Sequence, residues 1–280
     1  MKFKYGMLLP MITVLLVAVG YPIGYSVWMS FTNYQLISRN VDYIGLDNYV
    51  NVIGNPDYWS ALGVTAAYVV TAVTVELVLG LTLALILQKQ KWVRDITRSM
   101  LLAPMFITPI AVGLMFRFLL NDQLGAIPEM LRFFGISYDF LGPGRALFTL
   151  ALIDAWQWTP FMLLLLLAGL ESLPQQPFEA ARVDGAKPWY TFRRITLPLL
   201  APILTVAILM RGLDATKVFE YVFATTRGGP GIETQTIQYF TYQTGVQFFR
   251  LGEASAMAFI LLILVMTIIV LLFRRLERVK

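Results

Sequence analysis

Six stretches of this 280-residue chain are each long and apolar enough to cross a bilayer, and they constrain the fold more than any motif. They run over 5–31, 63–87, 100–120, 146–170, 198–222 and 254–273. A membrane-spanning helix needs about 20 predominantly apolar residues. In lipid a backbone must satisfy its polar groups within the segment, and none of the six alternates like a strand, so helices are expected. The composition agrees: 58% of residues are hydrophobic and 14% charged, against roughly half and a quarter in a soluble domain. The basic residues behind the net charge of +5 are scattered through apolar sequence, which excludes a disordered or nucleic-acid-binding chain. The first stretch has a competing reading as a signal peptide, with Lys2 and Lys4 before an apolar core and Ala18-Val19-Gly20 as a cleavage site. Its apolar character continues from Tyr21 to Trp28, too far for a signal core, which favours a retained helix. The expected architecture is all-α: a polytopic protein with six transmembrane helices, forming a single membrane domain over 1–280.

Charge sets the orientation. With the N-terminus inside, the inner segments carry Lys2 and Lys4; Lys89, Lys91, Arg94 and Arg98; Arg182, Lys187, Arg193 and Arg194; and Arg274, Arg275, Arg278 and Lys280. The outer loops hold only Arg39, Arg132, Arg145, Arg227 and Arg250. This positive-inside bias predicts cytoplasmic N- and C-termini. The outer loops, about 32–62, 121–145 and 223–253, are too short for a separate domain. The chain has no cysteine and no histidine, so disulfides, thiolate chemistry, the commonest general base and the commonest transition-metal ligand are all absent. No phosphate-binding loop, zinc-protease helix or nucleophile elbow occurs. Six helices without an internal repeat are few for a lone secondary transporter, so a solute-moving chain of this kind calls for a partner subunit.

The segment between the fourth and fifth spans, 171–197, reads as two short helices joined at a glycine. Pro177 suits a first helical turn, and Glu179 there favours the positive end of the helix dipole. Ala180 and Ala181 are strong helix formers with little bulk. Gly185 can take the left-handed conformation that ends a helix, and Pro188 can begin the next, with Trp189, Phe192 and Arg193 on neighbouring positions. Two readings stand at this point: a loop lying on the bilayer surface, or a small-residue knob that docks on another protein. The acidic Glu179 and Asp184 weigh against the first.

This segment carries E-A-A-x3-G-x9-I-x-L-P in Glu179, Ala180, Ala181, Gly185, Ile195, Leu197 and Pro198. It resembles the cytoplasmic loop of the inner-membrane subunits of bacterial ABC importers. Further motifs are similar to those of the maltose-type carbohydrate permeases. They are Gly45-Leu46-Asp47-Asn48-Tyr49 after the first span, Ala168-Gly169-Leu170 before the loop, Phe219-Glu220 with Thr226-Arg227-Gly228-Gly229-Pro230, and Gly252-Glu253-Ala254-Ser255-Ala256 before the last span. Glu220 stands where the family has Asp, and Glu253 where it has an aromatic residue. The resemblance covers about 8–275.

Ionisable residues within spans are costly and face a bundle interior, a partner or a water-filled path. They are Glu76, Arg117, Asp154, Arg211, Asp214 and Lys217. Arg211, Asp214 and Lys217 lie at i, i+3 and i+6, so Asp214 can reach either cation. The triplet suits an internally neutralised helix, with Lys217 reaching the outer surface, or a solute bearing an acid group. Arg117 and Glu76 read as structural residues with partners on neighbouring helices. Asp154, Trp156, Gln157, Trp158 and Phe161 surround Pro160, a helix-distorting residue, and combine aromatic rings with the planar polar groups that bind sugars. Packing explains such aromatics equally well.

The resemblance implies an ABC importer permease of type I fold in a bacterial inner membrane. It implies a sugar or sugar-like solute delivered by an extracytoplasmic binding protein, with a second permease subunit and two ATPase subunits as partners. ATP and Mg would belong to the ATPase, leaving this chain non-catalytic, with no cofactor or metal of its own. Glu179, Ala180, Ala181, Asp184 and Gly185 would couple to the ATPase. Asp154, Gln157, Trp158, Phe161, Asp214 and Lys217 would line the solute path. Gly228, Gly229 and Pro230 would meet the binding protein. The competing classes are a self-sufficient carrier or channel using the intramembrane charges, and a membrane-embedded enzyme using Asp and Glu.

Overall fold

In the computed structural model, residues 2–38, 41–90 and 99–277 are described, and they are almost entirely helical. Arg39, Lys91, Arg94, Arg98, Arg278 and Lys280, counted above in the charge bias, lie outside the described residues. Packing divides the chain into two compact units, Met1–Ser60 with Phe240–Lys280, and Ala61–Tyr239.

In the first unit, α1 (Lys2–Leu15) continues through a π turn at Leu16–Gly20 into α2 (Tyr21–Ser30), which carries the expected first span. A short α3 (Asp47–Gly54) follows, and the apolar α12 (Leu251–Glu277) packs against α2 and α3. The junction explains two of the sequence motifs. Asn48 is buried and donates through Nδ2 to the carbonyls of Ser30 (2.9 Å) and Thr32 (2.8 Å), closing the end of α2, whose last carbonyls have no partner within the helix. The Tyr49 hydroxyl sits 2.7 Å from Ser30 Oγ. Gly252 is the only residue type that fits against this cap, because a Cβ there would collide with the Thr32 carbonyl and lie 3.2 Å from Asn48 Nδ2. Glu253 pairs with Arg250 at 2.8 Å.

The second unit takes most of α4 (Pro56–Lys89) and is centred on α7 (Ala146–Glu171), two-thirds of whose apolar window is buried. α7 runs unbroken through Pro160. A proline's ring and missing N–H are tolerated in membrane helices where neighbours support the backbone. Pro160 is itself buried, so the distortion expected there does not interrupt the helix. Gly80 brings α4 close to α7: a Cβ at that position would lie 2.8 Å from Met162 Cγ.

Two expected spans are broken. The third bends by 97° between 99–106 and α5 (Pro109–Leu119). Thr108 precedes Pro109 and is extended (φ −66°, ψ 138°), as the clash with a following proline ring demands. The fifth ends early: α10 (Leu197–Ala215) stops, and a separate α11 (Glu220–Ala224) covers the rest. A surface helix, α6 (Ala126–Phe133), lies between α5 and α7 in the chain. The loop after α7 holds α8 (Gln176–Val183) and α9 (Pro188–Thr191). α9 does not stand apart from the fifth span. It passes through a π turn at Phe192–Thr196 directly into α10, giving one apolar helix over Pro188–Ala215. The π turn displaces the regular hydrogen-bond ladder just before Pro198, so that proline does not end the helix.

Candidate functional site

At the centre of the second unit one buried arginine gathers three helices. Arg211 on α10 is 2% exposed. Its Nη2 donates to Asp154 Oδ2 on α7 (2.5 Å) and to Glu76 Oε1 on α4 (2.9 Å). Nη1 donates to Asp214 Oδ2 (3.0 Å), one turn along α10. Nε lies 2.9 Å from Glu76 Oε2, off the hydrogen-bond direction but within ion-pair range. Glu76 and Asp154 are as deeply buried as the arginine, whereas the Asp214 side chain is 52% exposed. Two like charges so far inside a membrane protein persist only where a cation of this kind holds them. The guanidinium also lies 5.0 Å from the centroid of the Trp158 ring.

A hydrogen-bonded chain holds that tryptophan. Trp158 Nε1 donates to the Tyr221 hydroxyl (3.2 Å), which donates to Gln157 Oε1 (2.5 Å). Gln157 Nε2 donates to the Ile107 carbonyl at the break of the third span (2.5 Å). Gln157 and Tyr221 are buried, while Trp158 and Phe161 are half-buried, their rings edge to face at 6.3 Å.

The sequence-derived path candidates therefore fall into two groups. Asp154 and Gln157 have their polar atoms engaged inside the protein. Trp158, Phe161 and Asp214 are partly open, with Trp158 and Asp214 adjoining the same guanidinium, and Lys217 is exposed just beyond α10. The i, i+3 contact joins Arg211 to Asp214 as the spacing allows. Glu76, read as structural, meets a partner on a neighbouring helix as expected, but which one was not legible, nor was the role of Tyr221: their partners lie 135 and 64 residues away in the chain. The one available signal was the presence of a carboxylate in span two with no local cation, which demands a distant one. Arg117, read as structural, donates to the Ala224 carbonyl at 3.3 Å.

The loop is built differently. α8 ends in a Schellman closure: Ala186 N donates to the Ala181 carbonyl (2.9 Å), and Gly185 N to that of Arg182 (3.1 Å). Gly185 has φ +68°, and open space surrounds the position a Cβ would take. Lys187 is extended before Pro188. Glu179, Ala180, Asp184 and Gly185 are exposed, and Ala181 is turned inward. Val183 and Trp189, 88% and 69% exposed, give the knob an apolar surface. A hollow of about 660 Å³ beside it is lined by Pro177, Ala180, Asp184, Lys187 and Tyr190 among others.

Of the three residues assigned to the binding protein, Gly228 is buried against Tyr239, and Gly229 and Pro230 are half-buried. They shape a turn stapled by Thr234, whose Oγ1 donates to the Gly229 carbonyl (2.7 Å) and meets Thr226 Oγ1 (2.7 Å). The side chains this turn leaves exposed are Arg227, Ile232 and Glu233.

Residues 76–279 match the model of a family described as binding-protein-dependent transport system inner membrane component. Among curated proteins, the chain is 35% identical to the trehalose/maltose transport system permease protein MalF of Thermococcus litoralis, over 99% of this chain and 95% of that one. It is 32% identical to the trehalose transport system permease protein SugA of Mycobacterium tuberculosis, over 92% of this chain and 83% of that one. Among solved structures, its fold is like that of a chain in the crystal structure of a bacterial ABC transporter involved in import of the acidic polysaccharide alginate. The TM-score is 0.85 at 23% identity, over 100% of this chain and 96% of that one.

Proposed function

Because this chain belongs to the family of binding-protein-dependent transport system inner membrane components, we propose that it is the permease subunit of an ATP-driven importer for a sugar or sugar-like solute. It would work in a bacterial inner membrane with a second permease subunit, two ATPase subunits and an extracytoplasmic binding protein. The names of the trehalose and maltose permeases among its relatives support the solute class. ATP and Mg belong to the ATPase. This chain supplies the passage and the linkage to it.

The observation that carries the reading is the helix over Pro188–Ala215, which begins in the exposed loop and ends at the ion cluster. At 1.5 Å per residue, its 28 residues reach about 40 Å. A push on α8 and α9 by a closing ATPase is delivered along one rod to Arg211 and Asp214, while α7 leaves the same loop from its other end. Alternating access then follows as the two helices flanking the loop shift together. Trp158 and Phe161 offer ring faces to a sugar, and Asp214 and Lys217 offer polar contacts. Glu179, Ala180, Asp184 and Gly185 form the docking surface, and the turn built on Gly228, Gly229 and Pro230 presents its exposed side chains to the binding protein.

The test is to express the tagged chain with its genomic neighbours, purify it gently in detergent and identify what accompanies it. An ATPase retained by the wild type and lost on changing Glu179 and Gly185 together is the expected result. A homogeneous preparation of this chain alone that transports solute without ATP would instead establish a self-sufficient carrier.

A further inference from the structure

The turn around Gly228 holds a residue whose backbone and side chain are both unusual. Arg227 has φ +52°, in the left-handed region that residues other than glycine rarely enter. Gly228 (φ +88°) and Gly231 (φ +57°) share that region in the same turn and, having no Cβ, reach it freely. An arginine does not, so the turn must hold it there. Arg227 N donates to the Val222 carbonyl (2.7 Å), Gly229 N to that of Thr226 (3.1 Å) and Thr234 N to that of Gly228 (3.2 Å). Thr236, fully buried, ties the chain after the turn to the Val218 carbonyl at 3.1 Å. A disfavoured conformation fixed by its surroundings at an exposed position points to a use for the side chain.

Charge says what that use is. Among the described outer-loop cations, Arg132 pairs with Glu129 (2.9 Å), Arg250 pairs with Glu253 (2.8 Å), and Arg145 lies over the Tyr138 ring (4.4 Å). Arg227 is exposed and makes no ion pair among the described residues. Glu233, the acid nearest to it in sequence, is engaged elsewhere: its Oε2 accepts from the Gly144 N–H (2.7 Å) and joins the turn to the loop before α7. An exposed guanidinium on a fixed turn, with no acid of its own, matches a carboxylate arriving from outside the chain.

We propose that Arg227 is the residue through which this turn holds the binding protein, by pairing with a carboxylate on that partner's docking surface. The left-handed backbone fixes where the side chain leaves the turn, and the Gly144–Glu233 contact keeps the neighbouring acid from neutralising it. This rests on the importer reading, which gives the turn its outer position and its partner.

The purified complex of this chain with its companion subunits is placed in nanodiscs of neutral phosphatidylcholine, so that no lipid charge competes. It is titrated with the binding protein encoded beside it at about 50 and about 300 mM salt, and binding is read by interferometry. Arg227→Gly keeps the backbone conformation and removes only the side chain. It should unfold no earlier than the wild type on heating, yet bind about ten-fold more weakly at the lower salt and lose most of the wild type's salt dependence. Arg227→Glu, which sets like charge against the partner's acid, should weaken binding further. Equal affinity of Arg227→Gly and the wild type, or a tighter complex with Arg227→Glu, overturns the inference and leaves the importer reading intact. A wild-type complex that retains its ATPase but binds none of the protein removes the docking reading, and this inference with it.

Discussion

The ion cluster around Arg211 and the loop around Gly185 are joined by one helix yet are held in opposite ways. In the cluster, the buried Glu76 and Asp154 find their cation within this chain, on helices brought together from residues 76, 154 and 211. In the loop, the fold is secured by neighbours a few residues apart, and among the described residues the outward Glu179 and Asp184 side chains make no ion pair. The first arrangement is closed within the chain, and the second leaves side chains open for the docking proposed above. A transmitting element needs both: an end that can be gripped from outside, and an end whose response is fixed from inside.

The contrast breaks most sharply at the cluster. Arg211→Met leaves Glu76 and Asp154 buried without their cation, and losses of about 3–5 kcal/mol are typical when one partner of a buried pair is removed. The expected result is loss of monodisperse protein in detergent, read by size-exclusion chromatography and thermal unfolding. Adding Glu76→Gln and Asp154→Asn should recover most of that stability. A single variant as stable as the wild type would show that the helices are held by apolar packing alone.

At the loop, Gly185→Val forces a β-branched residue into a left-handed conformation, at a cost of about 1–2 kcal/mol confined to the turn. Because space around the Cβ is open, overall stability should stay near wild type while ATPase retention in pull-downs falls about ten-fold. Gly185→Asn, which tolerates that conformation, should retain it. The smallest effect is expected at Tyr221→Phe, which removes the hydroxyl between Trp158 and Gln157. Hydrogen bonds between membrane helices are worth about 0.6–2 kcal/mol. The readout is a shift in tryptophan emission with little change in unfolding temperature.

What the sequence reveals follows the same division. The helix ending at Gly185 and restarting at Pro188 depends on residues within ten positions, so their chemistry predicts both the turn and the start. The break before Pro109 was equally local, but the apolar run across 100–120 masked the Thr108-Pro109 signal. The continuous path through Pro198 depends on the π turn upstream of it, which no single residue announces. Pairing of Glu76 with Arg211 rests on which faces of α4 and α10 meet. Close approach of α4 to α7 at Gly80 helps to set that geometry, and periodicity in uniformly apolar helices does not encode it.

The bend in the third span reaches the rings of the fourth, across a sequence separation of 50 residues. Where the helix breaks, the Ile107 carbonyl turns to a side chain for its donor, and that donor is the amide of Gln157. The same amide group, through its other end, receives the Tyr221 hydroxyl that anchors Trp158. A kink in the backbone and the tilt of an aromatic ring are thus two readings of one planar group. Straightening the kink would pull the amide, swing the phenol and release the indole, so the third span has a mechanical say in what the fourth can hold.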